Sequence, residues 1–266
     1  MATREVPMTI EAFYALPPCF AMKHEYSKGI ACLSPRQITV VALAPLAAVP
    51  APAALPRAFC DEPLAALTDA DDPVLLRAFR EGFASTPDFG DYRRPDLERF
   101  VRGWIQNNVR PALPGSVAVR ARRTPRSLAA LLALLPTRTH SLLDTLLVRP
   151  RYARRGLATQ MFRRAAQTLR EAGATHVFTT YHPLNTPSVL WHAKQGFVEL
   201  PSLQIAHGKL AEARMRAWQA AEGIGDGVAP QPGAVADWER EVERLQALAE
   251  TDGYEAAEPI YWVRGR

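Results

Sequence analysis

Apolar and polar positions along this chain alternate between two periods, and the switches between them mark its elements. Residues 38–43 form a β-branched, apolar run suited to a first sheet strand, and residues 116–120, 141–148 and 175–180 read the same way. Residues 127–135 are dominated by Leu and Ala, so the period alone allows either a strand or a helix there. Helical spacing appears after Asp71-Asp72-Pro73, where Val74, Leu75, Ala78 and Phe79 share a face. It returns over residues 95–107, with Leu97, Phe100, Val101, Trp104 and Ile105 on one side, and over the amphipathic run 161–170. Residues 188–194 suit a short helix, and residues 210–221 and 235–249 suit two charged amphipathic helices flanking the Gly- and Pro-rich stretch 223–233. Ahead of all this, residues 8–17 predict a short helix with Thr9 as cap and Pro17-Pro18 as stop, and residues 23–33 a hairpin turning at Lys28-Gly29. The Pro- and Ala-rich segment 45–56 is a loop, and residues 259–263 form a β-like tail. Strands and helices in this order imply an α/β domain whose helices cover a twisted sheet.

Composition changes the picture in three ways. The length of 266 residues exceeds one domain of roughly 150 residues, so extra elements are expected. With 48% apolar and 22% charged residues the chain can bury a core, and its longest apolar stretches, 38–55 and 128–135, are Pro-interrupted or too short to span a bilayer. No secretory signal pattern opens the chain, and Cys19, Cys32 and Cys60 form no C-x-x-C pair, so reduced thiols and a cytoplasmic location are expected. No metal is expected either: His182 has no His, Cys or Asp at ligand spacing. The net charge of +5 and pI near 9.3 raise the question of nucleic acid, but the basic clusters at 120–126 and 149–164 carry few aromatics. The first cluster suits a solvated hairpin turn and the second an anionic cofactor, so no nucleic-acid partner is expected.

That second cluster carries the candidate chemistry. The apolar residues Leu146, Leu147 and Val148 lead into a basic turn, Arg154-Arg155-Gly156-Leu157-Ala158-Thr159, and then into the amphipathic run. A helix start offers unpaired backbone N–H groups and the positive end of its dipole, which is how proteins cradle pyrophosphate. Gly156 and Ala158 leave room for a close approach. Further on stand Asn185, Ser188, Trp191, His192 and Gly196-Phe197.

These two stretches together resemble the GNAT N-acetyltransferase superfamily. Its [Gln/Arg]-x-x-Gly-x-[Gly/Ala] turn is matched by residues 153–158, with Ala153 departing from the pattern, and its later Asn-x-x-[Ala/Ser], aromatic, Gly-Phe stretch by residues 185–197, with His192 where Tyr is usual. The resemblance implies a GNAT-like sheet, decides residues 127–135 for strand, and places a substrate entrance at the helices starting near Asp71 and Pro95. Phe83, Phe89 and Tyr92 then suit either pocket walls or core packing. It also implies acetyl-CoA as cosubstrate, held by residues 154–159, by Asn185, and by the backbone of Leu146, Leu147 and Val148 where the fourth strand splays from the fifth. Asp144 is the candidate base, with His140 as a secondary one, and His192 the candidate acid for the departing thiolate; an Asp on the solvent face and a His that merely packs are the plainer alternatives.

The organisation implied is a helix-hairpin leader over 1–37, an acetyltransferase core over 38–200, a helical insertion over 201–258 and a final core strand over 259–266. The leader faintly resembles the opening of the Uma restriction-endonuclease-like family, without that family's acidic metal-site cluster. The function expected is direct transfer from acetyl-CoA to a primary amine, small-molecule or peptide, in a ternary complex without a covalent enzyme intermediate. The alternative is an acyl-CoA-binding module without catalysis that presents a partner-binding surface. A homo-oligomer is compatible with either.

Overall fold

The computed structural model describes residues 3–252 apart from 37, 84, 85, 88, 90, 91, 137–140 and 226. The candidate base His140 and the tail read as a strand at 259–263 therefore lie outside the described residues. Along the chain run β1 (Arg4–Pro7), α1 (Ile10–Tyr14), β2 (Met22–Ser27), β3 (Ile30–Pro35), β4 (Val40–Pro45), β5 (Phe59–Pro63), α2 (Asp72–Phe83) and α3 (Arg94–Trp104). There follow β6 (Val117–Ala121), β7 (Thr124–Pro136), β8 (Ser141–Val148), α4 (Leu157–Glu171), β9 (His176–Tyr181), α5 (Thr186–Lys194), β10 (Val198–Glu199), α6 (Leu203–Ala221) and α7 (Ala234–Asp252).

Seven strands form a mixed sheet in the order β10-β4-β9-β8-β7-β6-β5. All neighbours are antiparallel except β8 and β9, which run parallel with α4 as their crossover. Against one face α4 and α5 bury Leu157, Met161, Phe162 and Leu169 with Phe197. Against the other, α2 and α3 bury Leu75, Phe79, Leu97, Val101 and Trp104. This is the α/β architecture with the GNAT-like sheet that the resemblance implies, and residues 127–135 lie within a strand.

Two strands escape the hydrophobic pattern. In β5 the run Phe-Cys-Asp-Glu-Pro carries two acids, and they are tolerated because Glu62 pairs with Arg120 and Asp61 with Arg164. Strand β1 is too short and polar to announce itself, yet it pairs with β3 from Arg4↔Leu33 to Pro7↔Ile30. Strand β4, expected to open the sheet, is its first strand along the chain but lies between β9 and β10, far from the β5 edge.

The leader folds as its own three-stranded sheet, β1-β3-β2. Its hairpin turns at Lys28 and Gly29, whose φ values of 51° and 81° give the doubly left-handed corner that tight antiparallel hairpins favour. The Thr9 side chain caps α1 by accepting from Ala12 N. Helix α6 carries the leader: Glu212 accepts from Phe20 N at 3.0 Å and Gln219 donates to the carbonyls of Tyr14 and Leu16. Gly208 lets this contact close up, since a Cβ there would stand only 3.2 Å from the Phe20 ring. The helix begins at Leu203, well before the polarity pattern suggests, because its first two turns are held between the leader and α7 rather than being amphipathic in isolation.

What fixes α2 over the sheet is a buried cation and a missing side chain. Arg149, 1% exposed, donates to Glu81 at 2.8 Å, to Ser127 and to the Leu128 carbonyl. One residue on from Glu81, a Cβ at Gly82 would stand 2.7 Å from Leu147. Gly82→Ala is therefore expected to lower stability by about 1–3 kcal/mol through overpacking, read as a lower urea midpoint. Gly103→Ala in α3, where a Cβ would meet nothing within 4 Å, should raise that midpoint through helix propensity.

Candidate functional site

Strands β8 and β9 are paired only over Ser141–Leu143 with Val177–Thr179. Beyond Leu143 they part, and β8 continues along β7 alone. At the point of parting β8 carries a bulge: Leu143 faces Leu134 and Thr145 faces Ala133, which leaves Asp144 as the extra residue. A bulge of this kind re-aims side chains and reverses the inside-outside alternation that follows it. Asp144 and Thr145 consequently both reach toward α3, where the Trp104 indole N–H lies 3.4 Å from Asp144 Oδ2 and 3.1 Å from Thr145 Oγ1.

Asp144 is held by three donors on a single oxygen. Asn108 donates to Oδ2 at 2.9 Å, the Thr145 hydroxyl at 2.8 Å and Trp104 at 3.4 Å. Oδ1 has no hydrogen-bond partner among the described residues. Helix α3 and the π turn that continues it, Ile105–Val109, supply two of the donors, Trp104 and Asn108, which stand four residues apart and so share one side. Neither orienting residue stands out in the sequence, where Trp104 reads as core and Asn108 as a helix end.

The parted strands open onto a cleft of about 830 Å³ lined by Leu146, Leu147 and Val148 and by the turn into α4. Gly156 caps that helix at φ 76°, and Arg154 stands at φ 59°. The backbone N–H groups of residues 154–159 meet no acceptor among the described residues, and the first turn of α4 contains no acid. A Cβ at Gly156 would meet nothing within 4 Å, so the glycine is there for its left-handed backbone and the approach to the amides is open. The cations Arg4, Arg154 and Lys194 line the cleft, and no described Asp or Glu does. Arg4 comes from the leader, a contribution that no local motif signals. Arg155 offers its amide but its guanidinium does not line the cleft, lying instead 6.0 Å from the Phe59 and Tyr152 ring centres.

Two expected side-chain roles look different in place. Asn185 caps α5, its oxygen accepting from Ser188 N at 3.4 Å, and it also lines the cleft. His192 is 5% exposed, stacked on Tyr181 with ring centres 4.7 Å apart. Its Nδ1 lies 2.8 Å from the Ser188 carbonyl, which requires a proton on that nitrogen, and Nε2 lies 3.2 Å from the Thr179 hydroxyl. Burial pushes its pKa down to about 4, the bond to the Ser188 carbonyl only partly opposing. The expectation that an imidazolium would be at hand near neutral pH therefore does not fit the surroundings of His192: desolvation keeps the ring neutral. Tyr181 is no substitute, because its hydroxyl donates to Glu199 at 2.9 Å and burial, then Glu199, raise its pKa.

A second cavity, of about 900 Å³, lies on the α3 side of β8 and contains Asp144 and Thr145. Phe83 lines both cavities, so the two adjoin where β8 passes from Thr145 to Leu146. Phe83 and Phe89 serve both readings left open by the sequence, since they pack against the α2–α3 core and line this space, and Tyr92 lines it as an exposed ring. Among the described residues no group of three or more His, Cys, Asp or Glu could hold a metal, and no helix is long and apolar enough to cross a membrane.

Comparison with known proteins bears on this arrangement. The model of the acetyltransferase (GNAT) family matches residues 75–197. No curated protein matches the sequence. Among solved structures, a GCN5-related N-acetyltransferase from Sphaerobacter thermophilus aligns with 13% identity and a TM-score of 0.44, over 60% of this chain and 48% of that one. This chain thus spans about half the length of that protein. The PaiA N-acetyltransferase of Thermoplasma acidophilum, solved with coenzyme A, aligns with 17% identity and a TM-score of 0.42, over 53% of this chain and 89% of that one. An acetyltransferase from Thermus thermophilus aligns with 19% identity and a TM-score of 0.42, over 54% of this chain and 89% of that one. The matched span runs from α2 through the parted strands and the amide turn to Phe197, and over residues 75–197 the chain is similar to the acetyltransferase (GNAT) family.

Proposed function

We propose that the protein is an acetyl-CoA-dependent N-acetyltransferase that moves the acetyl group directly to a primary amine within a ternary complex. One observation carries this reading: two adjoining cavities of opposite character meet along β8. The first is lined by cations and open amides with no described carboxylate, and the second holds an oriented carboxylate. An anionic donor and a cationic acceptor would be drawn into different cavities and brought together at the strand.

In this scheme the amides of residues 154–159 and Arg154 receive the pyrophosphate, with Arg4 and Lys194 adding positive potential. The unpaired edge of β8 facing the gap offers backbone N–H groups to the thioester oxygen, where negative charge develops as the amine attacks. Asp144, fixed through Oδ2, takes the amine proton on its free oxygen, directly or through one water. The nitrogen lone pair forms the C–N bond, the tetrahedral intermediate collapses, and the C–S bond breaks to release the thiolate. A thiol with a reference pKa of about 8.5 leaves readily without a dedicated acid. His192 is then a positioning residue that ties α5 to β9 through Ser188 and Thr179.

Three outcomes test these assignments. Gly156→Glu forces a side chain onto a left-handed residue and puts a carboxylate beside the open amides; it should weaken acetyl-CoA binding at least tenfold, about 1.4 kcal/mol, in calorimetry on the folded variant. Unchanged affinity would remove the cradle from the scheme. Asp144→Asn should leave acetyl-CoA affinity near wild type while thiol release in the presence of an amine falls roughly 10²-fold. Full turnover in that variant would rule out Asp144 as the base.

The third concerns pH. His192 has a folded pKa below its ordinary 6.5, so the stability it contributes is complete above pH 6.5 and is lost as pH falls toward about 4. A shift of that size corresponds to roughly 3 kcal/mol. Between pH 7 and 4.5, His192→Phe should accordingly lose less denaturant stability than wild type. A wild-type ring that titrates near 6.5 by NMR would contradict the buried, neutral assignment.

A further inference from the structure

We infer that the acceptor is a primary amine carried on a flat apolar body, an arylalkylamine, and not a polyamine or an amino sugar. This rests on the acetyltransferase reading of the same site and adds the class of molecule that fills its second cavity.

The wall opposite Asp144 is built from rings. Phe79 is their hub, with ring centres 4.6 Å from Phe83, 5.2 Å from Phe89, 6.0 Å from Phe100 and 5.0 Å from Trp104. Tyr92 extends the series through Phe89 at 5.5 Å and Phe100 at 5.9 Å. Much of this surface is open: Phe100 is 40% and Tyr92 44% exposed, and both line the cavity. Rings that served only the α2–α3 core would be covered by it, as Phe79 is at 2%. An aromatic body entering the cavity would bury the exposed faces by offset or edge-on contact, the arrangements that rings prefer.

Charge narrows the choice. Asp144 and Asp96 are the described carboxylates of this cavity, and Arg99 stands beside Asp96, with which it pairs at 3.5 Å. A single ammonium group is thereby matched: ring faces attract it, and Asp144 receives it on the oxygen that its three donors leave free. A chain of several ammonium groups would meet Arg99 and a lining with too few acids. Thr39, Asn107 and Thr180 of the lining can pair with a hydroxyl, but the faces of Phe83, Phe89 and Phe100 cannot, so a hydroxyl-rich amino sugar laid along the ring wall would leave polar groups unpaired. The Trp104 N–H points at Asp144, so the amine end belongs at β8 and the ring body extends toward Phe100 and Tyr92.

Calorimetry and steady-state assays on the full chain decide this. The probes are 2-phenylethylamine, n-propylamine, spermidine and kanamycin, with acetyl-CoA titrated separately. In the presence of coenzyme A, 2-phenylethylamine should bind at least tenfold more tightly than any of the other three. Phe100→Ala should cost it at least tenfold in affinity while altering n-propylamine binding less than twofold. The chain has five tryptophans, so intrinsic fluorescence should respond to 2-phenylethylamine in wild type and lose that response in Trp104→Phe, giving a readout that needs no turnover. Preference for spermidine or kanamycin, or an affinity for 2-phenylethylamine indifferent to Phe100→Ala in a folded variant, would overturn the inference while acetyl-CoA binding stood. A chain that fails to bind acetyl-CoA would instead overturn the donor-site reading on which the inference rests.

Discussion

The site depends on a single interruption of strand pairing. Between Leu143 and Thr145 the chain inserts one unpaired residue against β7, and at the same place it stops pairing with β9. A continuous parallel ladder would have consumed the backbone groups of residues 144–148 and closed the cleft. A regular antiparallel ladder would have put Asp144 and Thr145 on opposite faces. The bulge opens one edge of β8 and aims two adjacent polar side chains at the same helix, so the cation-lined cleft and the oriented carboxylate arise from the same irregularity.

The surrounding structure keeps that irregularity in place. Arg149, immediately after β8, is buried and locked to Glu81, Ser127 and the Leu128 carbonyl, so it ties α2 to the end of the parted strand. Removing Glu81 would leave the buried Arg149 guanidinium without its carboxylate, whereas Glu81, partly exposed, is also paired with Arg77. The absence of a side chain at Gly82 lets α2 come down onto Leu147. On the other side of the sheet, His192 joins Ser188 of α5 to Thr179 of β9, and the Thr179 hydroxyl also lies 3.2 Å from the Leu143 carbonyl. That contact reaches the last residue of β8 still paired with β9, so the edge of the gap is braced from both faces of the sheet.

The segments outside the matched span are not passive additions. The leader sheet and α6 interlock through Phe20, Gly208, Glu212 and Gln219, bringing segments from both ends of the described chain together. One consequence is that Arg4, within β1, reaches the cation-lined cleft. Electrostatic character at the site is therefore assembled from residues far apart in sequence, the leader supplying one cation and the segments around α4 and α5 the others.

Local sequence was enough for the elements whose physics is local. The period of residues 161–170, the glycine before α4, the Thr9 cap and the Lys28-Gly29 corner each act over a few residues, and each appears where its chemistry puts it. The motifs that carry the resemblance likewise lie on contiguous stretches, so the turn into α4 and the start of α5 at Asn185 are legible in the chain itself. Strand β5 is not, because its acids are tolerated only by Arg120 and Arg164, which come from β6 and α4. Nor is the protonation of His192: burial against Tyr181 is a tertiary property, and it lowers the pKa from 6.5 to about 4, so the ring stays neutral through a range of mildly acidic pH in which a free imidazole would be charged. Residue order and period suffice for the α/β class, the helix faces and the identity of the one acid in β8. Where that acid points, what orients it and which rings stand opposite are settled on folding, since bulges, pairing limits and cavity walls are relations between segments distant in the chain.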